Sequence, residues 1–85
     1  MNEEKIGIVS HYYNKIGVAT IVLEGNLSIG DSVRIKGVTT DFTQDIDSMQ
    51  LEHKNIESAT AGNHIGIKVK EYTREGDIVY RVAEG

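Results

Sequence analysis

Short runs of alternating apolar and polar residues, separated by glycine-marked turns, extend along most of the chain. In Ser32–Lys36, Val33 and Ile35 fall on one face and basic residues fall on the other. Ile65–Val69 alternates just as strictly. A period of two is typical of a strand with one buried face. Because no comparable stretch has the helical period, the pattern predicts strands and turns almost throughout.

Six strands are predicted, with turn residues between them. They are Lys5–Tyr12, Ile16–Leu23, Ser32–Lys36, Thr39–Leu51, Ile65–Lys70 and Ile78–Val82. In the first strand, regular alternation puts Ile6 and Ile8 on one face and Val9 on the other. The second strand is apolar on both faces, which favours a central position in the sheet. The polar segment 52–61 is predicted to be a packed loop.

The fourth predicted strand cannot bury all of its apolar residues by regular alternation. Phe42 and Ile46 share one parity, whereas Met49 and Leu51 share the other. One extra residue or a sharp bend would bring both sets to the same side. We therefore predict a β-bulge or bend near residues 47–48, of the kind with which small barrels turn corners.

Together these strands predict an all-β fold, namely a small, six-stranded, Greek-key-like closed β-barrel of the translation-protein type. Many short strands with turn signals and no helix are typical of barrels. Closure also removes the exposed edges through which sheets aggregate. A chain of 85 residues is the size of one domain. The predicted domain covers residues 1–85, with 1–4 and 83–85 frayed.

Two Gly-Asp pairs, Gly30-Asp31 and Gly76-Asp77, each precede a predicted strand. Glycine favours turns because it tolerates positive φ, and aspartate because its side chain bonds to nearby backbone groups. We interpret the repeated Gly-Asp pair as a favourable turn before a strand and not as evidence of an internal duplication.

Composition narrows the functional class. The chain has a net charge of −4 and no cysteine, which excludes disulfides and thiolate metal sites and favours a reducing compartment. No apolar run approaches the roughly 20 residues of a membrane span, and the acidic start is unlike a secretion signal. We expect a cytoplasmic protein without a membrane partner. The negative charge argues against tight, unaided binding of nucleic acid.

The usual signatures of catalysis are missing from the sequence. Asn14–Gly17 superficially resembles a guanine-reading Asn-Lys-x-Asp motif, but glycine replaces the closing aspartate and no phosphate-binding loop is present. His11, His53 and His64 lie in separate segments without the short spacings of zinc ligands. The serines lack the strand-to-helix elbow that activates a nucleophile. We predict no enzyme activity, no nucleotide hydrolysis, no metal and no cofactor.

The basic residues and tyrosines leave alternatives open. Basic residues on the outward faces of two predicted strands could form a stripe that binds a polyanion or a protein, or could simply be solvated. They are Arg34, Lys36, Lys68 and Lys70. The tyrosines could stack on a ligand or cap a small core with the hydroxyl in water. They are Tyr12, Tyr13, Tyr72 and Tyr80.

Several short motifs follow one another in a distinctive order between Ile6 and Val82. They are Gly7-x-Val9, Gly17-Val18-Ala19, Leu23, Leu27-x-x-Gly30-Asp31-x-Val33-x-Ile35, Ser48-Met49 and Ala59-x-Ala61-Gly62 through Val69. Their order resembles the second, β-barrel domain of translation GTPases of the elongation factor Tu type, and stand-alone elongation-factor-like small proteins. It is also similar to the C-terminal barrel of collagenase-like peptidases and tRNA-modifying homologues, in which the barrel is an accessory module.

The elongation factor resemblance implies a module that contacts the aminoacylated end of tRNA or the ribosome, while a separate domain hydrolyses GTP. The implied contact is the loop before the Ile-Gly-Ile strand, with a lysine beside it. Asn63-His64 departs from the family, which often has an acidic residue after the glycine.

We predict a non-catalytic binding module linked to translation, with tRNA, the ribosome or a protein as its partner. The alternative is a protein–protein adaptor or a detached accessory domain of a separately encoded enzyme. The candidate binding residues are Gly62, Asn63, His64, Lys68, Lys70, Arg34 and Lys36.

Overall fold

Every regular element within residues 2–83, the range that the computed structural model describes, is a β-strand. The strands are β1 (Asn2–Tyr13), β2 (Val18–Leu23), β3 (Leu27–Ser28), β4 (Ser32–Lys36), β5 (Asp41–Asp45), β6 (Met49–Leu51), β7 (Lys54–Ile56), β8 (Ser58–Ala59), β9 (His64–Lys68) and β10 (Ile78–Ala83). The all-β prediction is confirmed. Residues 2–83 contain no helix with the length and apolar character needed to cross a membrane.

Eight strands form one antiparallel sheet in the order β5-β4-β10-β1-β2-β9-β6-β7, and β3 pairs with β8 in a second, two-stranded sheet. The prediction of six strands is wrong because the predicted strand 39–51 divides into β5 and β6, the predicted loop 52–61 contains β7 and β8, and β3 was not predicted. Strand β2 lies inside the sheet, as predicted. Its side chains alternate between buried and half-buried.

The inner face of the curled sheet carries an aliphatic core to which most strands contribute. Its buried residues are Ile6, Val9, Ala19, Ile21, Leu23, Leu27, Val33, Ile35, Phe42, Ile46, Met49, Ala59, Ile65, Ile67 and Val79. Tyr12 packs against this core at its margin, as expected of a capping tyrosine.

Strand β1 departs from regular alternation because it pairs with β10 on one side and β2 on the other. Its register shifts between Lys5 and Gly7 against β10, and between Val9 and His11 against β2. As a result Ile6 and Val9, which have opposite parity, are both buried. The predicted division of β1 into two faces is therefore wrong.

The bend predicted near residues 47–48 is confirmed, since β5 ends at Asp45 and β6 begins at Met49. A bulge would leave both halves paired with the same strand, whereas here β5 pairs with β4 and β6 pairs with β9. The bend allows Phe42, Ile46 and Met49 to be buried together.

The closed barrel is wrong, because no ladder within the described range joins the end strands β5 and β7. Strand β9 pairs with β2 along one edge, and β6 pairs with its other edge at Gly66 and Ile67. Within residues 2–83, strand β5 is therefore linked to the residues around the end of β9 by a side chain instead of a ladder. The Gln44 amide donates to the Lys68 carbonyl at 2.8 Å and accepts from the Lys70 N–H at 2.9 Å. The sheet curls but stays open.

The termini predicted to fray include paired backbone. Residues 2–4 pair with 81–83 between β1 and β10. Pairing does not describe motion, so fraying of these residues stays a prediction. Met1, Glu84 and Gly85 lie outside the described residues.

Three turns of the same geometry introduce β4, β9 and β10. They are Ser28–Asp31, Thr60–Asn63 and Arg74–Asp77. In each turn the third residue is a glycine with φ of 92° or 96°, and the N–H of the fourth residue donates to the first carbonyl at 3.0–3.1 Å. The side-chain oxygen of the fourth residue accepts from the first N–H at 2.9–3.0 Å. These are type II turns closed by an Asp or Asn side chain.

Each turn also docks on a buried residue in the same way. The glycine N–H donates to the carbonyl of that residue, whose own N–H donates to the carbonyl of the Asp or Asn that follows the glycine. The three buried partners, in chain order of the turns, are Ile46, Leu23 and Val9. Both Gly-Asp pairs are therefore turns, as interpreted. Gly62-Asn63 forms a third turn of the same kind, in which an amide oxygen replaces the carboxylate oxygen.

Candidate functional site

A groove with a volume of about 520 Å³ lies on the outer face of β2 and β9, and we call it the β2–β9 groove. Strands β1, β2, β6 and β9 and two turns contribute to it. Its lining residues are Ser10, Tyr13, Ile16, Val18, Thr20, Gln50, Glu52, His53, His64, Ile65 and Gly66. A cavity of this size suits a small ligand or a short stretch of a larger one.

Gly66 forms the floor of the β2–β9 groove in the middle of β9. Thr20 of β2 lies opposite it on one side and Gln50 of β6 on the other. Glycine inside a strand is less stable than alanine by about 0.5–1 kcal/mol. Packing does not demand it here, since a Cβ at this position would meet only Val18 Cγ1, at 3.4 Å. Gly66 therefore keeps space open above the sheet at some expense in stability.

Glu52 and His53 form the two-residue turn between β6 and β7 and both line the groove. Their φ values are 52° and 66°, which makes a type I′ turn, a geometry that favours Asn-Gly. A non-glycine residue in the left-handed region costs about 1–2 kcal/mol. Strain of this kind concentrates at functional sites, and here it lies in the backbone of two residues that line the groove.

The apolar part of the groove consists of exposed side chains that neighbouring residues support. Tyr13 is 48% exposed and Ile16 is 63% exposed. The Tyr13 ring packs edge-on against His11, with 4.3 Å between ring centroids. His11 Nδ1 in turn lies 3.0 Å from Glu75 Oε2. The aromatic wall is thus positioned before any ligand arrives.

The groove offers the chemistry of binding. Ser10 Oγ lies 2.8 Å from Thr20 Oγ1 and donates to the Thr20 carbonyl at 3.2 Å, so its partner is a threonine and not a general base. In the described part of the chain, no group of three or more His, Asp or Glu side chains could hold a metal ion. The described lining contains one carboxylate, Glu52, and neither Lys nor Arg.

The structure divides the predicted contact loop into a turn and one groove residue. Gly62 and Asn63 complete the turn before β9, where the Gly62 N–H donates to the Leu23 carbonyl and Asn63 Oδ1 accepts from the Thr60 N–H. The Gly62 N–H and the Asn63 side-chain oxygen are therefore used within the fold. His64, the next residue, begins β9 and lines the groove.

Arg34 is engaged with carboxylates on the outer face of β4. Its guanidinium donates two hydrogen bonds to Asp41, both of 2.8 Å, and one to Glu3, of 3.0 Å. The hydrogen bonds to Asp41, followed by the one to Glu3, raise the pKa of Arg34. Arg34 in turn lowers the pKa of Asp41. The charge of Arg34 is thus balanced by two carboxylates.

The remaining predicted basic residues do not join Arg34 in one stripe. Lys36 lies beside it on β4, whereas Lys68 is the last residue of β9 and Lys70 follows that strand. Both of these lysines line a second cavity, of about 360 Å³. Strand β5 separates the two pairs, since it pairs with β4 and reaches β9 through Gln44. Asp45 and Asp47 line the second cavity together with the lysines. The surface is of mixed charge.

Most of the β2–β9 groove was missed by reasoning from the sequence. Gly66 carried a usable signal, because a glycine inside a strand often marks a place that a ligand or another backbone approaches closely. Glu52-His53 carried none, because neither residue is typical of a type I′ turn. Only the paired strands on either side reveal it.

No protein-family model matches the chain. The chain is 42% identical over 81 residues to an uncharacterised protease of Methanocaldococcus jannaschii, a match that covers 94% of this chain and 20% of that protein. It is 40% identical over 72 residues to collagenases of Porphyromonas gingivalis, covering 82% of this chain and 20% or 17% of theirs. The chain thus spans about a fifth of the length of the curated relatives that it matches.

Among solved structures, the chain is similar to the C-terminal domain of a candidate U32 peptidase of Geobacillus thermoleovorans. The TM-score is 0.88 at 24% identity, and the match covers 94% of this chain and 93% of that domain. The selenomethionine variant of the same domain gives a TM-score of 0.86 at 25% identity, covering 89% and 96% respectively.

These matches correct the interpretation drawn from the motif order. The resemblance to elongation factor Tu, and to stand-alone elongation-factor-like proteins, is wrong, because the similar proteins are named proteases and collagenases and the similar solved domain comes from a U32 peptidase. The resemblance to the C-terminal barrel of collagenase-like peptidases agrees with them. The chain has the fold of a U32 peptidase C-terminal domain.

Proposed function

We propose that this chain is a non-catalytic accessory domain that acts by binding, in association with a catalytic unit of the U32 peptidase type. The observation that carries the proposal is the match of 81 residues to a named protease of which they make up a fifth. A segment that forms a small part of larger enzymes, and has the fold of a separate C-terminal domain, is suited to an accessory role. The predicted cytoplasmic location stays a prediction.

The described residues support binding over catalysis. The β2–β9 groove contains hydroxyl, amide and imidazole groups beside exposed apolar side chains, and its serine is paired with a threonine. Three kinds of partner were predicted from the sequence, namely tRNA, the ribosome and another protein, and we propose that the partner is another protein. The tRNA or ribosome partner was inferred from the elongation factor resemblance, which the relatives overturn.

We propose that the catalytic unit docks on the surface around Tyr72. This ring is 59% exposed, packs edge-on against Tyr12 at 4.8 Å between centroids, and lies 5.7 Å from the Arg74 guanidinium carbon. Exposed tyrosine and arginine are enriched in the energetic centres of protein interfaces. Tyr12 also packs against the core, so it connects the surface around Tyr72 to the interior of the domain.

The protease of Methanocaldococcus jannaschii provides a defined partner for a test. A cleavage site introduced before its matched segment allows that segment to be removed after the protein has folded. We expect this chain to bind the remaining catalytic unit in isothermal titration calorimetry, and the Tyr72→Ser variant to bind at least about tenfold more weakly.

Ile29→Ser provides the matched control, because Ile29 is 43% exposed and lies in the Ser28–Asp31 turn, which docks on Ile46, whereas the Arg74–Asp77 turn docks on Val9. It should bind like the wild type. Absence of a complex with the trimmed protease would contradict the accessory role. Cleavage of peptides by this chain alone, surviving repurification, would contradict its non-catalytic character.

A further inference from the structure

We propose that the β2–β9 groove binds an extended peptide segment of neutral or basic character, with an aliphatic or aromatic side chain seated over Gly66. The inference rests on the proposed function, because a domain without catalytic groups can act on a peptide only by binding it. It adds the ligand class and the residues that would recognise it.

The first support is the division of the groove into an apolar and a polar part. Register places Val18 opposite Lys68 and Val22 opposite His64, so Val18 and His64 lie towards different ends of β9. Tyr13 and Ile16 accompany Val18 and offer contact to an apolar side chain. Amide, imidazole and hydroxyl groups make up the polar part, and each can both donate and accept. A peptide requires this combination, since it has apolar side chains and an alternation of N–H and C=O groups.

The second support is the charge of the groove. A nucleic acid needs basic residues to neutralise its phosphates, and the described lining has neither Lys nor Arg. The one carboxylate of the described lining is Glu52, and the whole chain has a net charge of −4. This arrangement repels acidic ligands and accommodates neutral or basic ones.

The third support is that two local features reduce stability where the groove would make contact. Gly66 leaves the floor empty although a side chain would fit there. Glu52 and His53 hold left-handed conformations that asparagine and glycine would adopt more readily. Both features are unfavourable for the free domain, and both keep space and polar side chains available to a ligand.

The experiment begins with a displayed library of random short peptides, selected against the wild-type chain and depleted against the Gly66→Val variant. Valine is favoured in strands and would occupy the floor of the groove. Enriched peptides are then synthesised, their affinities measured by fluorescence anisotropy, and their contacts mapped by amide chemical shifts. We expect peptides with one large apolar residue and few acidic ones, which shift the amides of Gln50, His53 and Gly66.

Two further variants separate loss of binding from loss of folding. Ile16→Ser should weaken binding about tenfold, while Val38→Ser, at an exposed apolar position outside the groove, should leave it unchanged. The double variant Glu52→Asn with His53→Gly should raise Tm and yet weaken binding. A gain in stability that accompanies a loss of affinity cannot come from misfolding.

Every other outcome counts against the inference. These outcomes are failure to enrich any peptide above the depleted background, enrichment of acidic peptides, shifts mapping outside the groove, or stronger shifts of the groove amides by an RNA hairpin than by any peptide. Failure here leaves docking of the catalytic unit at Tyr72 intact. Conversely, cleavage of the bound peptides would overturn the non-catalytic role and leave the groove as a peptide site.

Discussion

Replacement of Gly62 by alanine is a direct test of the repeated turn. An added Cβ at Gly62 would meet nothing within 4 Å, so steric crowding does not contribute. What changes is the backbone preference at a φ of 92°. Because the same holds for Gly30 and Gly76, the chain offers the same perturbation at three separate places.

The magnitude follows from two opposing effects. An L-residue in the left-handed region costs about 1–2 kcal/mol. Loss of glycine flexibility in the unfolded chain returns about 0.4–1 kcal/mol. We therefore expect Gly62→Ala to lower the free energy of unfolding by about 1 kcal/mol, which lowers Tm by about 4–8 °C in a domain of this size. Gly30→Ala and Gly76→Ala should lower it by similar amounts.

The assay is thermal and urea unfolding followed by far-ultraviolet circular dichroism. A chain of this length is accessible to chemical synthesis, so D-alanine can be placed at the same positions. D-alanine favours positive φ, and we expect it to raise stability by about 0.4–1 kcal/mol through the unfolded state. The opposite signs of the two alanines identify the backbone as the cause.

Two results would refute this reasoning. Equal destabilisation by L- and D-alanine would mean that the added methyl group causes a steric clash, although the structure shows no atom within 4 Å of it. An unchanged Tm for Gly62→Ala, combined with weaker binding of a partner, would mean that Gly62 is a contact residue, as the elongation factor resemblance implied.

Three further predictions test other parts of the fold. Replacing Gln44 by alanine removes the side-chain link from β5 to the end of β9 and should cost about 1–2 kcal/mol, measured by urea unfolding; unchanged amide exchange at the end of β9 would contradict it. Gly7→Ala should cost about 1–3 kcal/mol, since its Cβ would lie 2.7 Å from a buried isoleucine side chain and 2.8 Å from a carbonyl oxygen, whereas Gly66→Ala should be neutral or stabilising. Because Arg34 lowers the pKa of Asp41 in the folded chain, the associated stability should be present above the unfolded pKa of Asp41 and be lost as the pH falls through its folded pKa. Arg34→Gln should flatten that part of the pH dependence in urea titrations, and an unaltered profile would count against the pair.

The sequence was sufficient for features that depend on neighbours along the chain. Alternation predicted β4 and most of β9 and β10, because a period of two needs only the residues of one strand. The conflict of parity between Ile46 and Met49 predicted the bend between β5 and β6, since both must reach one core. Turn chemistry likewise identified Gly30-Asp31 and Gly76-Asp77.

Features that depend on pairing between distant segments could not be obtained in this way. The two register shifts of β1 arise because it must match β10 and β2 at once, and they bury Ile6 together with Val9. The surroundings of the candidate binding residues could not be obtained from the sequence for the same reason. Arg34 meets carboxylates from two other segments, and Asn63 is used by its own turn.

The amino-acid sequence by itself determined that this chain is built of strands, where most of them turn, and that it carries no evident catalytic motif. The tertiary structure alone decided that the sheet stays open and that Gly66, Glu52 and Tyr13 meet around one groove. The physical reason is that propensity and periodicity are local, whereas closure and the assembly of a site depend on register between strands far apart in sequence.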